Sequence, residues 1–398
     1  MGATLATLSA ITKEVYEGDL VEQLNNDTPI LKRIQRTSKG VESTVGGRYA
    51  TFPVHTSRNQ GIGARNELEA LPTPGQQGTA AARVGLKYLY GGVQLSGQAI
   101  QLIDKNYQAF QQALELELNG LKSDLAIDQN RQAWGNGTGA IGTVATAGTA
   151  LNTIVVDRVD LFQKGEIVDY VLANNTVSQT ARTVTAIDAA ASSITISGAA
   201  IATVTVGDYF VRTGNQGREW TGIQAIVAAT GTLYNIDPTV EPTWVSTVNT
   251  NGGTSTAVSE NMFTKMNDDI RQTSGKSPTV IATSLGVRRA YASLLMSQRQ
   301  VVNTKEFTGG FTGIAFVTDT GEIPIITDYM APKSKAFFIN EDSIKLYRES
   351  EWGFMDYDGS KWQRVIGYDA YEARMYQYSE LGANQRNTHG VITNITES

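Results

Sequence analysis

IDKNYQAFQQALELELNGLKSDLAIDQNRQAW, residues 103–134, is the stretch on which the fold turns. Within it Ile103, Tyr107, Phe110, Leu114, Leu118, Leu121 and Leu125 recur at spacings of three and four, the period of one face of an α-helix. Asp104 is placed to cap the start and Gly135 to end the helix. A helix of this length extends roughly 45 Å, longer than an ordinary globular helix, so the pattern predicts the spine of an elongated domain. Gly120 lies inside the pattern and marks a candidate bend.

Upstream, two strand-like runs, Arg48 to Val54 and Val84 to Tyr90, flank about 29 residues that hold Gly61, Gly63, Pro72, Pro74, Gly75 and Gly78. Alternation puts Ala50, Phe52 and Val54 on one face of the first run, and Val84, Leu86, Tyr88 and Tyr90 on one face of the second. An isolated two-stranded hairpin is marginal in water, and a structureless loop of this length is improbable inside a compact domain. An arm lying on a neighbouring subunit resolves both difficulties. Phe52, Leu86 and Tyr88 are then expected to be buried only on assembly, with Arg58 and Arg65 paired to acidic groups of the neighbour. Contact of Arg48, Arg58, Arg65 and Arg83 with nucleic acid is the weaker reading, because few aromatics are interleaved with them. Further upstream, Ala3 to Lys39 carries a short amphipathic stretch around Ile11, Val15 and Leu20 and then basic Lys32, Arg33 and Arg36. An extended arm with short helices and a solvated terminus fit these features equally well.

Downstream of Gly135 the composition changes abruptly to small and β-branched residues, as far as about Gly217. Candidate strands are Thr153 to Arg158, Glu166 to Leu172, Thr180 to Ile187, Ser193 to Ser197 and Asp208 to Thr213, which read as a small β-sandwich or barrel inserted into the main fold. The remainder is mixed. Ser259 is placed to cap a helix that buries Met262, Phe263, Met266 and Ile270 and ends at Gly275. A strand at Thr279 to Ala282 and a helix from Ser284 to Ser297 follow, then a flexible stretch with Gly309, Gly310 and Gly313. Strands are expected at Ile314 to Val317, Ile323 to Thr327, Ala336 to Ile339 and, last and longest, Arg364 to Tyr378.

Composition removes whole classes of function. The 398 residues contain no cysteine, which excludes disulfides, thiolate metal sites and thiol catalysis together. Histidine occurs only at His55 and His389, too little for a triad or a multi-histidine metal site. Gly137, Gly139 and Gly142 have the spacing of a dinucleotide fingerprint but follow a helix and enter a β-rich segment, the reverse of the required context. The pairs Asp268/Asp269 and Glu67/Glu69 read as solvated charges. A formal charge of −6 argues against a surface that grips nucleic acid throughout. No stretch has the length and apolarity of a membrane span. The protein is therefore expected to be no enzyme, to hold no cofactor and no metal, and to stay soluble until it assembles.

This order of arm, long hairpin, spine-length helix, mixed region and aromatic last strand resembles the tailed-phage major capsid proteins of the Hong Kong 97 fold, an α+β class. The stretches that carry the likeness are Gly367-Tyr368-Asp369-Ala370-Tyr371-Glu372-Ala373-Arg374, Leu381 to Gly390, and Gly321 to Pro332. The resemblance implies an N-terminal arm at 1–43 and an extended loop at 44–95. A peripheral domain is implied at 96–136 and 348–398, an inserted β domain at 137–217 and an axial domain at 218–347. It implies self-assembly as pentamers and hexamers into an icosahedral head, with the extended-loop residues Phe52, Arg58, Arg65, Leu86 and Tyr88 at subunit contacts. Implied partners are a portal, a separate scaffolding or decoration protein, and packaged double-stranded DNA held non-specifically on the inner face; no membrane is involved. The place implied is the virion, assembled in the host bacterial cytoplasm. An encapsulin-like nanocompartment shell is the nearest alternative, and a β-rich adhesin or carbohydrate-active protein a remoter one.

Overall fold

The structure, a computed structural model, describes residues 27–38, 41, 49–98, 107–297, 304–307, 311–356 and 361–398. The amphipathic stretch around Ile11, Val15 and Leu20, Arg48, the expected first turn of the long helix at 103–106, and Gly309 and Gly310 lie outside these residues. A short helix, α1 (Pro29–Arg33), opens with a proline, which the first turn tolerates because its missing N–H has no partner there. After β1 (Gln35–Thr37) come β2 (Tyr49–Ser57) and β3 (Gly78–Gly85), an antiparallel hairpin with Tyr49 opposite Gly85 and Ser57 opposite Gly78. The chain continues into β4 (Lys87–Ser96) and the long helix α2 (Tyr107–Ala133), which runs through Gly120 without interruption.

The expected strand Val84 to Tyr90 is thus two strands meeting at Leu86. The break shifts the alternation: Val84 and Leu86 are buried, but beyond them it is Leu89, Val93 and Leu95 that face inward, while Tyr88 and Tyr90 face out. Gly91 lies on the inward face, where a Cβ would meet Leu125 and Leu121 of α2 at 2.9–3.0 Å. Glycine there lets the helix lie directly on the strand.

Eight strands follow: β5 (Ala140–Thr143), β6 (Gly148–Leu151), β7 (Thr153–Val155), β8 (Ile167–Val171), β9 (Val177–Asp188), β10 (Ser193–Ile196), β11 (Ile201–Val204) and β12 (Tyr209–Arg212). Six form a sheet in the order β5-β12-β8-β9-β10-β7, and β6 pairs with β11. They enclose their own core, with Ile154, Tyr170, Ile194 and Phe210 fully buried. The two ends of this segment meet, Gly217 N–H donating to Thr138 O at 3.0 Å. Ionic contacts fasten it to α2: Asp128 binds Arg131 at 3.0 Å and Arg212 at 2.6 Å, Arg212 also binds Glu166, and Arg131 binds Glu219. Burial alone would raise the Asp128 pKa, but the two arginines hold its carboxyl below the ordinary range.

The rest of the chain supplies β13 (Thr247–Asn249), α3 (Glu260–Ser274), β14 (Val280–Thr283), α4 (Leu285–Ser297), β15 (Thr304–Phe307), β16 (Phe311–Thr318), β17 (Gly321–Thr327) and β18 (Ala336–Ile339). It closes with β19 (Ile344–Arg348), β20 (Gly353–Phe354), β21 (Gln363–Arg364), β22 (Ala370–Ala383) and β23 (Gly390–Ile392). The Ser259 hydroxyl accepts the Met262 N–H at the start of α3, and Gly275 ends it in a left-handed cap. The expected strand Arg364 to Tyr378 is instead a hairpin: residues 365–369 turn, closed by Val365 N–H to Ala370 O at 2.9 Å, and β22 runs on to Ala383. β22 pairs with β4 along one edge and with β19 and β20 along the other, and β1 adds to β19. A second sheet has the order β13-β23-β18-β14-β17-β16-β15. Successive side chains of β18 serve opposite cores, Phe337 toward Trp134 and Trp220 and Phe338 toward Phe263 of α3, the period-two rule of a strand buried on both faces.

One turn, Asp328–Ala331, ties these parts together. The Asn130 amide of α2 donates to both Asp328 carboxylate oxygens at 3.1 and 2.9 Å, Met330 N–H donates at 2.9 Å, and the Ile30 backbone N–H of α1 also favours the charged form. Burial nonetheless holds the Asp328 pKa above its ordinary value. From the inserted segment, Arg158 donates to the carbonyls of Tyr329, Met330 and Ala331 at 2.8–3.1 Å.

Arg386 plays a similar part near β22. Its fully buried guanidinium donates to five backbone carbonyls, those of Ala225, Ile226, Thr230, Gly231 and Trp244, at 3.0–3.2 Å. Arg386→Met keeps much of the bulk and removes every donor. It is expected to destabilise the subunit by at least about 2 kcal/mol, since several buried carbonyls lose a partner at once. Urea unfolding reads this directly; an unchanged midpoint would show the cage to be incidental.

Candidate functional site: the hairpin arm

Among the described residues no group of three histidine, cysteine or acidic side chains is arranged to hold a metal, and no helix is long and apolar enough to cross a membrane. The carboxylate pairs are surface features: Asp269 pairs with Lys265 one helical turn away at 2.7 Å, and Glu69 is used inside its own turn. Among the described residues that expose large apolar side chains are those of the hairpin β2–β3 and the loop 58–77 at its end.

Its root is part of the subunit. Ala50, Ala82 and Val84 are fully buried, and the Phe52 ring stacks on Tyr347 with centroids 6.2 Å apart. Arg83 N–H donates to Tyr234 O at 2.9 Å, and Thr243 Oγ1 donates to Thr56 O at 3.1 Å. Beyond Ser57 the arm is bonded to itself. The Asn59 side chain donates to Gly75 O at 3.0 Å and accepts from Gly61 N at 2.7 Å, and His55 Nε2 lies 2.7 Å from Gln77 Oε1. The two sides approach so closely that a Cβ on Gly61 would stand 2.7 Å from Gly75 N and 2.8 Å from Thr73 O, so only glycine fits. At the tip Arg65 donates to Ala64 O and Ala70 O, and Asn66 donates twice to Glu69. Those bonds, the backbone one foremost, hold the Glu69 carboxyl below the usual carboxylate range.

This preformed tip presents Ile62, Leu68 and Leu71 at 85%, 101% and 84% exposure. Three aliphatic side chains are thus held almost wholly in water by a self-bonded loop.

The five residues singled out from sequence fall at different places along the arm. Leu86 is already buried in the subunit core and Phe52 is half-buried on Tyr347, so the expectation that both are enclosed only on assembly is corrected: they anchor the root. Tyr88 lies on the outer face of β4, half exposed, its ring edge-on to Tyr378 at 4.8 Å. Arg58 is exposed just beyond β2, and Arg65, also exposed, closes the tip turn. Sequence reasoning passed over Ile62, Leu68 and Leu71. Their signal was present as isolated aliphatics among turn formers, where no periodicity draws attention to them.

Beside the root, Glu380 of β22 is wholly enclosed. Its Oε1 accepts the backbone N–H of Thr221 at 2.7 Å and of Leu381 at 2.9 Å. Burial pushes its pKa up to about 8, against the pull of the Lys87 ammonium and these donors. The unfolded chain loses this proton near 4.5 and the folded subunit near 8. The folded state therefore binds more protons across that window, so the stability is full below about pH 4.5 and declines as pH rises through 8. Glu380→Gln mimics the protonated form at every pH. Between pH 5 and 9 the wild-type unfolding free energy should fall by up to about 4 kcal/mol more than that of the variant; parallel profiles would contradict the assignment.

Comparison with known proteins was made against this geometry. A family model described as "SU10 major capsid protein" matches residues 3–396. No curated protein matches the chain in sequence. Among solved structures, the cyanophage A-1(L) capsid asymmetric unit is similar over 98% of this chain and 99% of its own, with a TM-score of 0.58 at 14% identity. The SrpI encapsulin complex of Synechococcus elongatus PCC 7942 is similar over 99% of this chain and 95% of its own, with a TM-score of 0.50 at 10% identity. At such identities these likenesses speak to the fold alone.

Proposed function

The chain belongs to the SU10 major capsid protein family, and on that premise we propose how its parts divide the work of building a shell. It is a structural protein of the phage head with the Hong Kong 97-type fold, a component of the virion and not an enzyme. The encapsulin likeness reflects the shared fold and does not displace this reading.

In the proposed scheme identical chains assemble as pentamers and hexamers. Residues 1–43 form the N-terminal arm and the hairpin within 44–95 the extended loop. Residues 96–136 with 348–398, apart from β23, which joins the seven-stranded sheet, make the peripheral part, 218–347 the axial part and 137–217 an inserted unit. The observation that carries the scheme is the arm: Phe52 and Leu86 fix its root in the subunit, and its tip leaves Ile62, Leu68 and Leu71 in solvent. Arg58, Arg65 and the outward-facing Tyr88 are proposed to meet the neighbouring subunit with that tip. Arms of this kind add contact area without enlarging the folded core, and many modest contacts allow errors to be corrected before the shell closes. A mildly acidic chain suits an inner face that touches packaged double-stranded DNA only non-specifically. A portal and a separate scaffolding or decoration protein complete the proposed set of partners.

Leu68→Asp and Leu71→Asp place a charge on the tip without touching the core. Each is expected to weaken assembly by about 1–3 kcal/mol per contact and to leave thermal unfolding of the unassembled subunit unchanged. Light scattering and negative-stain microscopy read the first, calorimetry the second. Shell formation at the wild-type concentration by both variants would remove the tip from the interface.

A further inference from the structure

The sequence contains three Asn-Gly pairs, Asn119-Gly120, Asn136-Gly137 and Asn251-Gly252, and the shell-building scheme uses none of them. In such a pair the main-chain nitrogen of the glycine can attack the asparagine side-chain carbonyl, since no Cβ on the second residue obstructs the approach. The nitrogen bonds to Cγ and gives its proton to solvent, the Cγ–Nδ2 bond breaks, and the amide leaves as ammonia. Water then opens the cyclic imide on one side to aspartate, or on the other to isoaspartate, in which the main chain runs through the former side chain. Either product replaces a neutral amide with a carboxylate.

The three sites differ in how open this approach is. Asn119 lies inside α2, where every Cα–Cβ bond tilts toward the helix N-terminus, so its carboxamide is carried away from the Gly120 nitrogen. Asn251 is half-buried, and its Nδ2, the group that would depart, is held by the Thr393 carbonyl at 2.8 Å. Asn136 is exposed in the joint between α2 and β5. Its Oδ1 accepts the Thr138 backbone N–H at 3.2 Å and the Thr138 hydroxyl at 2.6 Å, which folds the carboxamide back over the Gly137 peptide unit. These two donors sit where negative charge gathers on Oδ1 as the nitrogen adds, the arrangement of an oxyanion hole. The Ala140 N–H donates to Thr138 Oγ1 at 3.4 Å and polarises that hydroxyl further. Gly137 is itself left-handed, with φ of 86°, so the joint requires the very glycine that makes the pair reactive.

We propose that Asn136-Gly137 is a self-modifying site, where deamidation aided by Thr138 converts the joint of the inserted unit slowly and in one direction. The reaction uses only this chain and water. Aspartate keeps an oxygen facing the Thr138 donors. Isoaspartate inserts an extra main-chain carbon where there is no slack: Gly217 N–H is bonded to Thr138 O at 3.0 Å, a Cβ on Gly139 would stand 2.9 Å from Asn215 O, and one on Gly222 would stand 2.5 Å from Gly135 O. The two connections of the inserted unit are then forced apart, and β5 and β12, which lead into and out of it, lose protection at their joint ends.

Ageing the full-length, unassembled protein in warm buffer tests it, with peptide mass mapping and isoaspartyl methyltransferase labelling as readouts. Conversion is expected at Asn136 well ahead of Asn119 and Asn251, and faster as pH rises, because the Gly137 nitrogen must lose its proton. Thr138→Val is expected to slow it about tenfold, the effect of losing one hydrogen bond to the forming oxyanion, and Thr138→Ser to restore it. Hydrogen exchange of the aged wild type should quicken in β5 and β12 with β14 and β18 unchanged, and should stay at its starting rate in aged Asn136→Gln, whose longer side chain forms the imide poorly. An unmodified Asn136, or one converted no faster than the other two asparagines, overturns the site. Conversion of Thr138→Val at the wild-type rate overturns the part given to the hydroxyl. Isoaspartate at 136 with unaltered exchange in β5 and β12 overturns the effect on the joint.

Discussion

The placement of α1, α2 and the inserted segment on the seven-stranded sheet depends on the short turn Asp328–Ala331. A carboxylate withdrawn from water must find donors or lose its charge, and Asp328 finds them on α2 and in its own turn, with α1 contributing a backbone N–H. The carbonyls that follow are taken by Arg158 of the inserted segment. Elements distant in sequence are thereby fixed relative to the seven-stranded sheet by groups whose alternative is burial without a partner, the costliest state a polar group can occupy. Arg386 repeats the logic with the opposite charge, drawing the loop 225–231 and Trp244 onto the end of β22.

A subunit so tied is complete in its body and incomplete in its arm. The body has apolar cores on both faces of its second sheet and a separate one in the inserted segment. The outer half of the arm has hydrogen bonds but nothing to cover its aliphatic side chains. Preorganisation of the tip means that little conformational entropy remains to be lost when it docks, which is how a small contact contributes usefully to a shell.

Much of this was legible in the sequence because it rests on period and punctuation. The three-four spacing from Tyr107 to Leu125 lies on α2, Ser259 and Gly275 bound α3, and the compositional edges near Gly135 and Gly217 bracket β5–β12. The errors fell where tertiary pairing overrides pattern. A continuous alternation across Leu86 concealed the passage from hairpin to sheet, and the apparent strand through Gly367 proved to be a turn because β21 folds back on β22. Asp328, Arg158 and Arg386 carried no local signal, since a buried charged residue is recognisable only by the carbonyls and amides that distant segments bring to it. The exposed aliphatics of the tip were passed over for the reverse reason, having no partners within the chain to set a period.

The most direct test of the account is an electron cryomicroscopy reconstruction of the shell formed by this chain, with the path of residues 49–85 traced. The account predicts that the hairpin leaves its own subunit beyond Ser57 and that Ile62, Leu68 and Leu71 are buried against a neighbouring copy, with Phe52 and Leu86 still seated in their own core. A tip left in solvent, or an arm folded back on its own subunit in the closed shell, would contradict it.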